Sequence, residues 1–437
     1  MPAKKVLIIT YYWPPSGGAG VQRWLKFTKY LREFGWEPII FTVANGEFPE
    51  IDSSLEKDVP ADLEIITQAI REPYLLYKYF TGKKKKDKIH AGFLSEKKNP
   101  GILQNLAVWI RGNLFIPDAR MLWIKPSIKT LSDYLKKNND VDVVVSTGPP
   151  HSCHLIALAL KKKHGLKWLA DFRDPWTNID FYKDLKLTKR ADARHHYLEK
   201  EVITTADAVV AIGKTMQEEF SATFNREIHC ITNGFDTNDA PTATPMPDRK
   251  FSIAHIGTMV KTRNPIVLWK ALNELLSEIP ELKNDLEIKL VGKTDVEAID
   301  SLKQYELTPF VNRMDYLSHN EVIKIQQQSQ VLLLMVNNTP NAKGVITGKI
   351  FEYLLAKRPI LCIGPEDGDA ADIIKKTDAG FTAGFEDVLA TKKIVADYYL
   401  KFKQKNLVST SQNIEQFNRK NLTQELSVLL NTIGKHD

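Results

Sequence analysis

Three glycine-marked stretches hold the residues best suited to chemistry. The first is SGGAG, Ser16 to Gly20, which follows the apolar run VLIIT (6–10) and the prolines Pro14 and Pro15. Gly17, Gly18 and Gly20 lack Cβ, so the backbone can take positive φ and bring its N–H groups close to a ligand. A helix starting just after them aims unpaired donors and partial positive charge at the same point, which suits a pyrophosphate or a sugar hydroxyl. A tight strand-to-helix turn needs the same glycines, and that plainer reading stands beside the first. The second stretch, HIGTMVKTRNP (255–265), is another strand and glycine turn, now with Lys261 and Arg263 at a helix start. The third, GVITGKIFEYLLAKRPIL (344–361), puts Lys349 and Glu352 on one helix face. A lysine opening a helix can meet phosphate oxygens, and a carboxylate one turn later can accept both hydroxyls of a ribose. A surface ion pair accounts equally well for these two residues.

Two more motifs end strands. STGPPHS (146–152) presents His151 at a strand mouth, where the imidazole either hydrogen-bonds a sugar or caps the helix HSCHLIALAL; His154, one turn on, reads as structural. ADFRDPW (170–176) gathers Asp171, Arg173 and Asp174. They either brace their loop as an ion pair, or Asp171 or Asp174 serves an acceptor as a general base. No metal is expected. Asp140 and Asp142 precede their apolar strand rather than follow it, and Asp369 in the D-G-D at 367–369 reads as a helix N-cap. Neither G-x-G-x-x-G nor a P-loop occurs, and Thr42 and Val43 stand where a dinucleotide enzyme carries an acid, so nicotinamide chemistry is disfavoured. Cys153, Cys230 and Cys362 are too far apart for a disulfide framework and read as small apolar residues.

These residues need strands and helices in alternation. Strand-like runs fall at 6–10, 38–43, 141–147, 167–172, 208–212 and 228–232, then at 251–257, 286–292, 330–336 and 359–364. Helical spacing lies between several of them. Val21, Trp24, Leu25, Thr28 and Leu31 share one face before a stop at Gly35, and a further helix spans about 265–279. FDTNDAPTATPMPDRK (235–250) carries three prolines and little that is apolar, so it reads as a linker. The result is an α/β chain of two doubly wound halves. We place an N-terminal domain over 1–236, a linker over 237–250, a C-terminal domain over 251–405, and a final helix in 406–437 that packs back toward the N-terminal domain.

The ordered set SGGAG, STGPPHS, ADFRDPW, ITNGFD, HIGTMVKTRNP and TGKIFEYLLAKRPIL resembles glycosyltransferase family 4, nucleotide-sugar-dependent enzymes of the GT-B architecture. The resemblance implies two Rossmann-like domains facing across a cleft and sugar transfer with retention of configuration. It puts Gly17 and Gly18 beside the donor phosphates and acceptor, and Gly257, Lys261, Arg263 and Lys349 on the phosphates. Glu352 falls at the ribose carboxylate and His151 at the active-centre histidine. The sequence departs from the family at Gly344, where the first of two spaced glutamates usually stands, and at Thr258, where many members have arginine. Backbone N–H groups around 342–345 are the expected substitute for the missing glutamate.

Composition fits a soluble globular protein of 437 residues, with 43% apolar and 26% charged residues and a net charge of +7. The first apolar run is too short for a secretion signal and reads as a core strand, which implies a cytoplasmic protein. The basic run GKKKKDK (82–88) is a solvated loop or a contact for an anionic partner. The segment 103–125 mixes Trp109, Phe115 and Trp123 with Arg111, Arg120 and Lys125; it suits either an anionic membrane surface or a buried helix and loop. No nucleic-acid reading motif is recognisable. The expected partners are a nucleotide-sugar donor, in place of any cofactor, and a glycan or lipid-linked acceptor. A nucleotide-sugar epimerase and a weakly active nucleotide-sugar-binding scaffold remain as alternatives.

Overall fold

Continuous apolar runs are what a parallel strand needs when both faces of its sheet are covered. Val6, Leu7, Ile8 and Ile9 are all fully buried. They lie in β1 (Lys4–Ile9), followed by β2 (Trp36–Val43), β3 (Glu64–Gln68), β4 (Val141–Gly148), β5 (Lys167–Phe172), β6 (Ala208–Ala211) and β7 (His229–Cys230). The structure, a computed structural model, describes residues 3–48, 50–70, 102–237, 245–315 and 317–434. Among these, the strands form one parallel sheet in the order β3-β2-β1-β4-β5-β6-β7. A second parallel sheet holds β8 (Phe251–Ile256), β9 (Leu286–Val291), β10 (Val311–Met314), β11 (Val331–Met335), β12 (Ile360–Ile363) and β13 (Gly380–Ala383), in the order β10-β9-β8-β11-β12-β13. In each sheet the order of strand addition reverses once, between β1 and β4 and between β8 and β11, and open α/β sheets bind ligands at the carboxyl ends of such switch points.

The strand runs read from the sequence are found within a few residues of their expected ends; β3, β10 and β13 were not among them. The helix Ala19–Leu31 buries Val21, Trp24, Leu25, Thr28 and Leu31, and the turn after it closes at Gly35 with φ of 80°. The helix Ser152–His164 likewise ends on Gly165 at φ of 69°. The chain divides into two units, Met1–Thr232 with Arg419–Asp437, and Asn233–Asn418. Within the first, the helix Arg419–Ile433 lays Leu422, Leu426 and Leu430 into the core shared with Trp24, Phe27 and Leu31. In the second, Asp248 pairs with Lys289 at 2.6 Å, so the end of the proline-rich stretch is docked. The basic run at 82–88 lies outside the described residues.

Candidate active site

In the second unit the site is assembled where β8 and β9 end. Gly257 and Gly292, with φ of 113° and 105°, press together: a Cβ on Gly292 would stand 3.2 Å from the backbone of Gly257. A Cβ on Gly257 would meet Lys349 Nζ at 2.3 Å, so the missing side chain is the space the ammonium occupies. Lys349 is the first residue of the helix Lys349–Ala356. That helix is held on the sheet by Tyr353, whose hydroxyl accepts from Ile256 N at 3.3 Å and donates to Leu333 O at 3.4 Å. Burial pushes the Lys349 ammonium down to about 8; repulsion from Arg263 adds to this and Glu352 opposes it. Arg263, at the end of the turn Lys261–Arg263, donates from Nε to Asn337 Oδ1 just beyond β11. Glu352 is exposed and accepts from Gln326 Nε2 at 3.0 Å; it makes no ion pair with Lys349. His255 is buried behind the cluster and pushed down to about 3, chiefly by burial, so it is neutral.

In the first unit the glycine loop is covered by its own chain. Ser16 bridges to Ile51, Asp52 N donates to Pro15 O at 2.8 Å, and Gly17 N donates to Glu50 O at 3.0 Å. Gly17 is therefore corrected: its N–H already has a partner and is not an open phosphate donor. Gly18, with φ of 86°, turns the chain into the helix Ala19–Leu31, and Gly20 makes room for Arg173. The Arg173 guanidinium donates to Gly20 O and Pro149 O, tying the glycine loop to the turn that presents His151. The His151 ring stacks on Trp176 at 4.5 Å and 4°. Its Nδ1 is buried without a hydrogen-bond partner. Burial, with His154, His195 and Arg173 nearby, holds its pKa well below the usual value. His151 is thus a neutral hydrogen-bonding group. It sits at the N-cap of its helix but makes no side-chain cap; Asp118 fills that role, accepting from Ser152 N at 2.9 Å and Ser152 Oγ at 2.8 Å. His154 is structural, bonded through Nδ1 to Ser146 Oγ at 2.8 Å.

Asp171 is also corrected. Its carboxylate is buried and accepts from Arg23 at 2.8 Å, Trp24 Nε1 at 2.7 Å and Thr147 Oγ1 at 2.8 Å. Burial alone would raise its pKa, but these partners hold it below the ordinary value. A carboxylate so held cannot take a proton from an acceptor, and its ion-pair partner is Arg23 rather than the neighbouring Arg173. Asp174 is the other carboxylate of ADFRDPW. Its side chain is exposed, while the crowded chain around it, with Asp180, pushes the carboxyl up to about 6 against the pull of Arg173. Water reaching the side chain tempers that rise. Glu199 anchors the loop beneath the His151 platform, accepting from Trp176 N and Thr177 N, each at 3.2 Å, and from Thr177 Oγ1 at 2.5 Å. Arg23 and Glu199 escaped the sequence reading; Trp24 entered it only as a core residue, and Thr147 and Trp176 only as members of STGPPHS and ADFRDPW.

Residues 90–239 match the sequence model of Glycosyltransferase Family 4. The matched stretch holds STGPPHS, ADFRDPW and ITNGFD, three of the motifs that carry the resemblance. Among solved structures the chain is similar to a glycosyltransferase from Rickettsia africae ESF-5, at 16% identity and a TM-score of 0.63 over 100% of both chains. It is similar to Anabaena Alr3699/HepE in complex with UDP-glucose, at 12% identity and a TM-score of 0.60 over 98% of this chain and 99% of that one. It is also similar to WaaG, a glycosyltransferase involved in lipopolysaccharide biosynthesis, at 12% identity and a TM-score of 0.54 over 97% and 99%. At these identities the likeness is one of fold, and the fold is GT-B. No curated protein matches the sequence. Two details depart from the expected GT-B donor set. Lys261 is exposed and turned to Glu297 at 3.3 Å. The N–H groups of Ala342, Gly344 and Val345 are bonded within their own turn, to Thr339 O, Asn341 O and Ala342 O, so they do not replace the absent glutamate. Among the described residues no group of three His, Cys, Asp or Glu side chains is arranged to hold a metal ion, and no helix is long and apolar enough to cross a membrane.

Proposed function

We propose that the protein is a retaining, metal-independent glycosyltransferase that moves a hexosyl group from a nucleotide-diphosphate sugar to a glycan acceptor. The acceptor belongs to the cell-envelope polysaccharide or lipopolysaccharide class, lipid-linked in the reading we favour. One observation carries the proposal: Lys349 lies in the space left by Gly257, with Arg263 beside it and Glu352 one helical turn on. Departure of a nucleoside diphosphate builds negative charge, and preorganised cations stabilise such charge most where water is scarce. Arg263 and Lys349 supply it. An arriving diphosphate would also raise the lowered pKa of the Lys349 ammonium, so binding takes up protons at a pH near 8 and above. Glu352 then accepts the ribose hydroxyls with the carboxylate oxygen that Gln326 leaves open. With Asp171 locked in its cage, retention runs through the leaving phosphate, which takes the acceptor proton on the face it departs from. His151 donates or accepts at the sugar, and Asp174 stands on the acceptor side. The UDP-glucose held by HepE and the pathway of WaaG support donor and acceptor classes of this kind.

The same reading places the protein in the cytoplasm, peripheral on an anionic membrane. The helix Ile102–Leu114 exposes Leu106, Trp109 and Leu114 on its outer side, while Trp123 beyond it is core. Substituting Glu352 by Ala should weaken nucleotide binding by roughly tenfold or more, the worth of hydrogen bonds to a charged group. Calorimetry that finds the affinity unchanged would remove the ribose assignment. A donor converted with no acceptor present would point to an epimerase, and binding without turnover across an acceptor panel to a scaffold.

A further inference from the structure

The second unit contains a cavity of about 370 Å³ whose lining includes Arg263 but none of Gly257, Lys349 and Glu352. That volume falls in the range of small-molecule sites. Its floor is Met335 and Ile363, paired residues at the carboxyl ends of β11 and β12. Phe385 and Val388 form a wall. Ile266, at the lip, is 50% exposed, and Leu389 beside Val388 is 78% exposed. The rim is basic: Lys261, Arg263 and Lys270 face one lining carboxylate, Glu386. Among the described residues, Lys270 has no carboxylate within ion-pair distance.

The deepest apolar part of the lining offers a sugar no hydroxyl partner at Met335, Ile363, Phe385 or Val388. The amide of Asn264 is already engaged at both ends, donating to Ser301 Oγ at 2.8 Å and accepting from Trp269 Nε1 at 2.8 Å. Apolar side chains left open at a pocket mouth gain when an apolar group covers them. A cationic rim adds attraction for an anion at its edge. We propose that this cavity binds a phosphate ester with a hydrocarbon stem. The stem lies on Met335, Ile363, Phe385 and Val388, and the phosphate meets Lys270 at the basic rim. The site is additional to the donor cluster and does not depend on the donor reading.

Calorimetry with geranyl phosphate, geraniol and inorganic phosphate tests this on the full chain. Geranyl phosphate should bind at least about tenfold more tightly than either fragment. Lys270→Glu should weaken it through the phosphate and Val388→Asp through the stem, each by about tenfold, with UDP affinity held within about twofold. An aspartate at the first position of a helix is well tolerated, so the second variant should fold. Inorganic phosphate binding as tightly as geranyl phosphate would mean a free-anion site and overturn the proposal. So would competitive displacement by UDP, or indifference to both substitutions. If UDP fails to bind the wild type while geranyl phosphate binds as described, the donor assignment falls and this site stands.

Discussion

Asp171 shows how much one carboxylate can organise. It and Arg23 each retain about 1% side-chain exposure, and they lie 148 residues apart in the chain. Trp24 and Thr147 complete the cage, so β4, β5 and the first helix are joined at one point. Removing one member of a buried pair leaves the other charge uncompensated, at a cost of about 3–5 kcal/mol. Asp171→Asn keeps the shape and deletes the charge, and should lower the unfolding free energy measured by denaturant titration by an amount of that order. The sign with pH follows from the depressed folded pKa. Such a carboxyl contributes stability above its unfolded value, near about 3.9, and loses it as pH falls through the lower folded value. The wild type should shed the contribution only below about pH 4, and the Asn variant should lack that part of the acid limb. A variant as stable as the wild type at neutral pH would show that the pair is not worth its burial. The sequence could not reveal this partner. ADFRDPW puts Arg173 two residues from Asp171, and adjacency suggested a pair, yet Arg173 lies just past the end of β5 and its guanidinium reaches the carbonyl oxygens of Gly20 and Pro149 instead.

At the scale of elements, the proposed donor cluster depends on a strand end, a glycine turn and a helix start packed against one another. A methyl at Gly257 would collide with Lys349 Nζ at 2.3 Å, on a backbone with φ of 113° that side chains rarely adopt. Gly257→Ala should therefore displace the lysine and weaken nucleotide binding by about tenfold or more. Gly35→Ala is the matched control: φ is 80° there, but nothing lies within 4 Å of the added carbon. It should lower Tm and leave nucleotide affinity alone. Equal loss of affinity in both would mean that strain, not the lysine, decides. The Gly257 turn and the basic helix start were legible because glycine and charge interrupt apolar runs. What stayed hidden were β3, β10 and β13, all at sheet edges, where exposed positions break the continuous apolar signal. Bonding within the turn at 342–345 was equally invisible, since backbone pairing there leaves no trace in side-chain types.

At the scale of the molecule, the chain builds its first unit from both of its ends. Leu422, Leu426 and Leu430 recur at four-residue spacing along Arg419–Ile433, each 4% exposed or less, and they pack with Trp24, Phe27 and Leu31. The proposed nucleotide-binding residues Gly257, Arg263, Lys349 and Glu352 lie in the other unit, which has its own core on both faces of its sheet. Stability and donor binding should therefore separate. Leu426→Ala leaves a cavity in the first unit and should cost about 2–5 kcal/mol there. Hydrogen exchange should speed up in β1, β4 and the helix Ala19–Leu31, with β8 and β11 unchanged, because local openings follow cooperative units. Nucleotide affinity by calorimetry should stay within about twofold of the wild type. Exchange that rises uniformly through both units would mean that they unfold as one, and a matching loss of affinity would mean that the donor cluster relies on the first unit for its shape.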